Sequence, residues 1–236
     1  MRWLVLRLTA PLASFGGTAI DARGVTRDFP AASAITGLLA NALGVERYET
    51  DRLSRLQDRL IFAARREQEP VLGRMTDFQT AKLGAKDKGW TTRSRVEERA
   101  GGEATYDSPH IRYRDYHADT RMTVVLCLVP ADEAPTLDDI AAALDRPARP
   151  LFFGRKGCLP ADYLLASGPG RWVEADSPRD ALLAVPGADG QRALWPAGSG
   201  DEGREINDQR NWRSGLHGGS RRVVEGRLPL ASGGGQ

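Results

Sequence analysis

The 236-residue sequence predicts an α+β fold, and three runs of residues carry that prediction. Trp3-Leu4-Val5-Leu6-Arg7-Leu8 alternates so that Leu4, Leu6 and Leu8 share one face of a half-buried strand. Between Ser33 and Leu43, the side chains of Ala34, Ile35, Leu38, Leu39, Ala42 and Leu43 fall on one helical stripe, with Gly44 as terminator. Met122-Thr123-Val124-Val125-Leu126-Cys127-Leu128-Val129 is an apolar run that stops at Pro130, the pattern of a buried strand.

The remaining elements follow in chain order. The first strand ends at Pro11 and Gly16-Gly17, and a loop bearing Arg23 and Arg27 leads into a helix opening Phe29-Pro30-Ala31-Ala32-Ser33. Helix N-termini leave backbone N–H groups unpaired and carry partial positive charge, so the Ser33 start reads as an anion site. Gly37 inside that helix costs about 1 kcal/mol against Ala, which points to a close approach of another backbone or a ligand. A short helix from Thr50 or Asp51 carries Leu53, Leu56 and Leu60, followed by strands over Ile61 to Arg65 and Met75 to Thr80.

From Ala81 to Pro109 the apolar pattern gives way to Gly, Lys, Arg, Glu and Thr, predicting a protruding arm, either a long hairpin or a mobile loop. Tyr106 to Tyr116 fits its returning limb. Beyond Val129, Thr136 and Asp139 have the spacing of a helix cap and its reciprocal acid ahead of Ile140 to Leu144. Leu151 to Pro160 is a basic glycine loop, Tyr163 to Ala166 a strand, and Pro178 to Val185 a short helix. Gly187 to Gly203 is turn-rich, Arg204 to Leu230 is rich in Arg, and Gly233-Gly234-Gly235 is expected to be disordered.

The collected order is the ferredoxin-like β-α-β-β-α-β unit with an insertion, which covers one face of its sheet with helices and leaves the other free for a partner. Residues 1–79 and 113–175 are its halves, 80–112 the inserted hairpin and 176–236 a C-terminal extension.

Composition narrows the function classes. Hydrophobic content of 41% with 27% charge is ordinary for a globular chain, and no apolar run approaches the roughly 18 residues that cross a bilayer. Met1 to Leu8 is too short and too interrupted by Arg for a signal peptide, so the expected location is the cytoplasm, with no membrane partner. Cys127, Cys158 and three histidines make no spaced ligand set, so neither a metal nor a cofactor is expected. The net charge of +2 neither demands nor excludes a polyanion. Of 33 basic residues, 29 are Arg, which suits phosphate forks and base stacking, although a GC-rich genome yields the same bias.

Gly154-Arg155-Lys156-Gly157 offers glycines for close phosphate approach and two cations; it lacks Walker A spacing and also fits an ordinary solvated turn. The arm carries Lys82, Lys86, Lys88, Trp90, Arg93, Arg95 and Arg99, diluted by Asp87, Glu97, Glu98 and Glu103. On the returning limb, alternation puts Arg112, Arg114 and Tyr116 on one face. His110, His117 and His217 stand in polar surroundings without a compelling nucleophile–base set, so no catalytic residue is assigned. A metal-independent ribonuclease would need only a His, Tyr or Lys set around a ribose 2′-OH.

Leu4-Val5-Leu6-Arg7-Leu8 with Pro11 and Phe15-Gly16, the Phe29-Pro30 to Gly44 helix, and Gly154-Arg155-Lys156-Gly157-Cys158-Leu159-Pro160 together resemble the fifth Cas family, part of the RAMP superfamily. Members occur in the type I-E CRISPR surveillance complex, Cascade. The similarity runs from Arg2 to about Ser167. Ala31, Asn41 and Phe15 depart from a common Thr, a small apolar residue and a common Trp.

The resemblance implies a non-enzymatic RNA-binding domain that holds the 5′ handle of the CRISPR RNA. Its contacts would be Arg23, Thr26, Arg27, the Ser33 helix start, Arg155, Lys156 and Cys158, with Arg112, Arg114 and Tyr116. It further implies that residues 80–112 form a thumb packed on the CasC backbone subunit; an extended hairpin so rich in Gly and charge buries little apolar area and is expected to be mobile in isolation. The large CasA subunit would be a second neighbour, and target DNA would be met only through the complex. Alternatives are a metal-independent endoribonuclease of CRISPR precursor RNA, and a protein-interaction domain without RNA affinity.

Overall fold

The computed structural model describes residues 1–17, 22–68, 73–82, 89–90, 96–97, 109–187 and 190–229. In chain order its elements are β1 (Arg2–Ala13), β2 (Arg23–Gly24), α1 (Ala32–Ala42), α2 (Thr50–Arg59), β3 (Leu60–Arg66), β4 (Arg74–Ala81), β5 (Gly89–Trp90), β6 (Val96–Glu97) and β7 (His110–Leu128). There follow α3 (Leu137–Asp145), a single 3₁₀ turn (Gly168–Arg171), β8 (Trp172–Glu174), α4 (Pro178–Ala184), β9 (Arg192–Pro196), β10 (Arg204–Ile206) and β11 (Arg221–Arg227).

Among the described residues nine strands join one sheet in the order β10-β11-β9-β3-β7-β1-β8, with β2 and β4 also paired to β7; β5 and β6 pair separately. The 19-residue β7 is its spine. Its inner half runs antiparallel to β1 on one side, Leu4 opposite Leu126, and to β3 on the other, Leu60 opposite Leu128. Its outer half continues past β3 and pairs with β4 from Arg74–His117 to Ala81–His110. That outer ladder pairs the two strands on either side of the arm expected from the sequence, with β7 running from His110.

Leu4, Val5 and Leu6 on β1, and Val124, Val125 and Leu126 on β7, are each at most 1% exposed. Successive strand residues face opposite ways, so both faces of the sheet are covered here. The sequence-based expectation of one free face is therefore wrong for the centre of the sheet. α4, from the C-terminal extension, is fastened to it by Arg65 on β3, which donates to the carbonyls of Leu182 (2.7 Å), Val185 (2.6 Å) and Pro186 (2.5 Å).

The helix signals hold. α1 spans Ala32–Ala42, and Gly44 turns the chain at φ +75°. At α3 the Thr136 hydroxyl accepts from the Asp139 amide (3.2 Å) while the Asp139 carboxylate accepts from the Thr136 amide (2.8 Å), the reciprocal cap read from the spacing. Ser177 caps α4 through the Asp180 amide.

Two strand expectations change. Tyr163 to Ala166 is not a strand: Tyr163 is exposed, the Asp162 side chain takes its amide, and only Leu165 bridges to Leu6. The edge beside β1 is instead β8, Arg2 opposite Glu174, held by the Trp3 indole N–H on the Ala175 carbonyl (3.0 Å). The turn-rich and Arg-rich tail also contains β9, β10 and β11, which extend the same sheet beyond β3.

Within the arm, Lys82 is exposed and the Trp90 backbone lies in β5; Lys86, Lys88, Arg93, Arg95 and Arg99 lie outside the described residues, as do the expected thumb mobility and the Gly233–Gly235 tail. Among the described residues no helix is long and apolar enough to cross a membrane.

Replacing Thr136 with Ala removes the α3 cap and is expected to cost about 0.5–2 kcal/mol, read as a lower urea midpoint at unchanged slope.

Candidate nucleic-acid interface

Four segments distant in sequence converge at α1: the Gly16-Gly17 turn after β1, the face of α1 that carries Ser33, Gly37 and Asn41, the glycine loop after Leu151, and residues 207–219 of the extension. They line an open cavity of about 830 Å³, a size that suits a ligand of small-molecule or nucleotide dimensions. The helix and loop singled out in the sequence thus do share one site. Its fourth wall, the extension, was assigned no role by the sequence.

The N-terminus of α1 is already filled. Ala31 offers no side-chain cap, but the Ala32 amide donates to the Asp208 carboxylate and the Ser33 amide to the Asp208 carbonyl, each at 3.0 Å. Asp208 is 1% exposed and receives the Arg221 guanidinium at 2.9–3.1 Å. The expected phosphate position at the Ser33 helix start is thus occupied by a protein carboxylate, because the same orphan amides and dipole that attract phosphate attract Asp208. Ser33 still lines the cavity.

The glycine loop changes meaning as well. A Cβ on Gly154, at φ +86°, would sit 1.6 Å from the Ser14 carbonyl oxygen, so this glycine is required by backbone packing rather than phosphate approach. The Arg155 guanidinium donates to the carbonyls of Asp115 (3.0 Å) and Gly24 (2.9 Å) and lies 4.5 Å over the Tyr116 ring. It stitches the loop to β2 and β7. Lys156 is exposed, with no ion-pair partner among the described residues, and remains the loop's available cation.

Thr26 and Cys158 are corrected to interior positions, 3% and 1% exposed. The Thr26 hydroxyl accepts the Phe15 amide at 2.9 Å, and burial raises the Cys158 thiol, so both side chains position backbone and present no surface to RNA. Arg27 lines the cavity and donates to the Asn207 carbonyl at 2.6 Å. Arg23 is exposed, 3.8 Å from the Asp115 carboxylate. Gly37 lines the cavity too; a Cβ there would meet only Trp212 Cη2 at 3.9 Å, ordinary contact, so no other backbone approaches it closely.

On the outer half of β7, Arg112 is exposed, Arg114 donates to Gln79 at 3.0 Å, and Tyr116 underlies Arg155. The opposite face of that ladder carries Phe78 and Tyr113, 55% and 41% exposed, rings 5.3 Å apart. The sequence did not reveal this pair, because it depends on the register that sets Phe78 opposite Tyr113.

His117 is buried, its Nε2 2.7 Å from the Arg27 carbonyl, and burial pushes its pKa below 6.5. Nearby, burial works against ionisation of Asp28, but hydrogen bonds from Arg74 (2.7 Å) and Arg192 (3.1 Å) and their charges outweigh it and hold the carboxyl below 3.8.

The fold is that of CRISPR-associated proteins. It is similar to a solved chain described as "CRISPR RNA-guided surveillance complex" (TM-score 0.69, 23% identity, 98% of this chain and 92% of that one) and to "Crystal structure of Cas protein" (0.62, 25%, 97% and 95%). In sequence it is 28% identical over 181 residues to the CRISPR system Cascade subunit CasD of Escherichia coli strain K12, covering 77% of this chain and 75% of that protein. The family model described as CRISPR-associated protein (Cas_Cas5) matches residues 3–224. The chain belongs to this family, and the match takes in most of the C-terminal extension.

Replacing Asp208 with Ala strands Arg221 and the Ala32 amide and is expected to cost about 3–5 kcal/mol, measured by denaturant titration. The depressed pKa of His117 means that the unfolded state binds more protons, so stability is full above about pH 6.5 and falls as pH drops through that value toward the folded one. His117→Gln is expected to flatten this part of the stability profile, while the loss due to Asp28 at still lower pH persists.

Proposed function

We propose that the chain is a non-catalytic, RNA-holding subunit of a type I-E Cascade complex, acting in the cytoplasm. It grips the 5′ handle of the CRISPR RNA, touches the CasC backbone subunit through residues 80–112 and the large CasA subunit elsewhere, and meets target DNA only through the complex. The observation that carries this reading is the cavity walled by α1, the glycine loop and the extension, with Arg27 in its lining, while Arg155 ties the loop that bears Lys156 to the paired strands that bear Arg23 and Arg114. Single-stranded RNA favours such a combination, with cations along its backbone and a recess for splayed bases.

Similarity to a Cascade subunit supports the assembly. The order β3-β7-β1-β8, with α1 and α2 between β1 and β3 and α3 between β7 and β8, supports a ferredoxin-like core, its halves at 1–79 and 113–175, with a thumb at 80–112. Against catalysis by His117, its ring is buried with Nε2 on the Arg27 carbonyl.

The handle RNA of the host's CRISPR locus, fluorescently labelled, is expected to bind the purified chain with a strong salt dependence. Lys156→Ala should flatten the log affinity against log salt slope by about 0.7, one single-strand phosphate contact. Unchanged affinity and slope in the Arg155→Ala, Lys156→Ala double variant would reject the assigned loop. Precursor RNA incubated with the chain in EDTA should remain intact; cleavage at a unique position would overturn the non-catalytic assignment.

A further inference from the structure

We infer that the cavity at α1 captures a single unstacked ribonucleotide, its base against the Trp212 indole and its phosphate on Arg210. This rests on the RNA-binding reading and adds a binding role for the C-terminal extension.

Arg210 lines the cavity without a carboxylate partner among the described residues. Its neighbours in the tail are engaged: Arg204 with Glu225, Arg213 with Asp51 and Arg221 with Asp208. Its backbone is fixed at both ends, the amide donating to Gln57 Oε1 (3.0 Å) and the carbonyl accepting from Gln57 Nε2 (3.1 Å). Burial and the charge of Arg47 both disfavour its protonated form, so an anion arriving there relieves an existing cost. At the α1 N-terminus, by contrast, Asp208 already excludes one. A phosphate therefore belongs on the Arg210 side of the cavity.

Trp212 supplies the second half. Its Nε1 is shielded from solvent with no partner among the described residues, unusual for a buried indole N–H, which ordinarily finds an acceptor. The Arg210 guanidinium lies over one face of the ring, 5.4 Å from its centroid, and bare Gly37 lies beside the ring edge, so the base would take the other face. Phe15, Leu38 and Phe152 extend the apolar wall, while Ser33 and Asn41 offer polar edges. Asn41 spends its Nδ2 on the Pro150 carbonyl (2.7 Å), leaving its oxygen to accept. An aromatic ring, a guanidinium over one of its faces with no carboxylate partner among the described residues, and a few edge-reading groups are the recognition set of one splayed nucleotide.

The test uses the full chain, the labelled handle RNA and a series of the same RNA with an abasic ribose at each successive position. Trp212→Ala should weaken the intact RNA about five- to hundredfold, and Trp212→Phe should restore most of that loss. At one position the abasic RNA should bind wild type about as weakly as Trp212→Ala binds intact RNA, with no further loss when the two changes are combined. Arg210→Ala should flatten the salt slope by about 0.7. If Trp212→Ala weakens intact and every abasic RNA equally, or if neither variant changes binding, base capture is wrong while the RNA-binding reading stands. Absence of wild-type binding to any of these RNAs would overturn both.

Discussion

The Asp208 carboxylate joins parts of the chain that are remote in sequence. One side of it receives a backbone amide from the first turn of α1, and the other receives the guanidinium of Arg221 on β11. Buried at 1% exposure, it can neither be left unpaired nor easily moved, because a desolvated charge without its partners is costly. The clamp therefore fixes where the extension lies, and with it residues 207–219, which close the cavity. The same contact decides that the anion site at the start of α1 is satisfied internally.

β7 imposes the second constraint. Its 19 residues exceed what one neighbour can pair with, so β3 ends where β4 begins along the same edge, and the strand emerges from the core carrying the arm with it. The inner half is apolar on both faces because helices and the extension cover both. The outer half alternates Arg112, Arg114 and Tyr116 with Ile111, Tyr113 and buried Asp115, because there only part of the sheet is covered. One strand thus serves as core and as the mount for exposed groups.

The abundance of arginine takes on a different meaning in three dimensions. Arg59 donates to the carbonyls of Pro130 and Glu133, Arg65 to three carbonyls around the end of α4, and Arg155 to Asp115 and Gly24. A planar fork with five donors can satisfy several loop carbonyls at once, which no lysine ammonium does with the same fixed geometry. Much of the basic composition is therefore structural. Lys156 and Arg210 are two of the cations that the fold leaves without an acid among the described residues, and so available to a ligand.

By itself the sequence determined what local chemistry controls: the alternation of β1, the apolar run in β7, the stripe and glycine stop of α1, the reciprocal cap of α3, and the strands on either side of the arm. It also marked two elements, α1 and the Gly154 loop, that the fold brings to one cavity. Tertiary structure alone decided what those elements do there. Asp208 fills the α1 N-terminus from 176 residues away, Arg155 bonds across 131 residues to Gly24, and Trp212 reaches Gly37 from the tail. Periodicity reports which face of a segment is buried, whereas the partner of an orphan amide or guanidinium is set by chain closure over long separations, which no local pattern encodes.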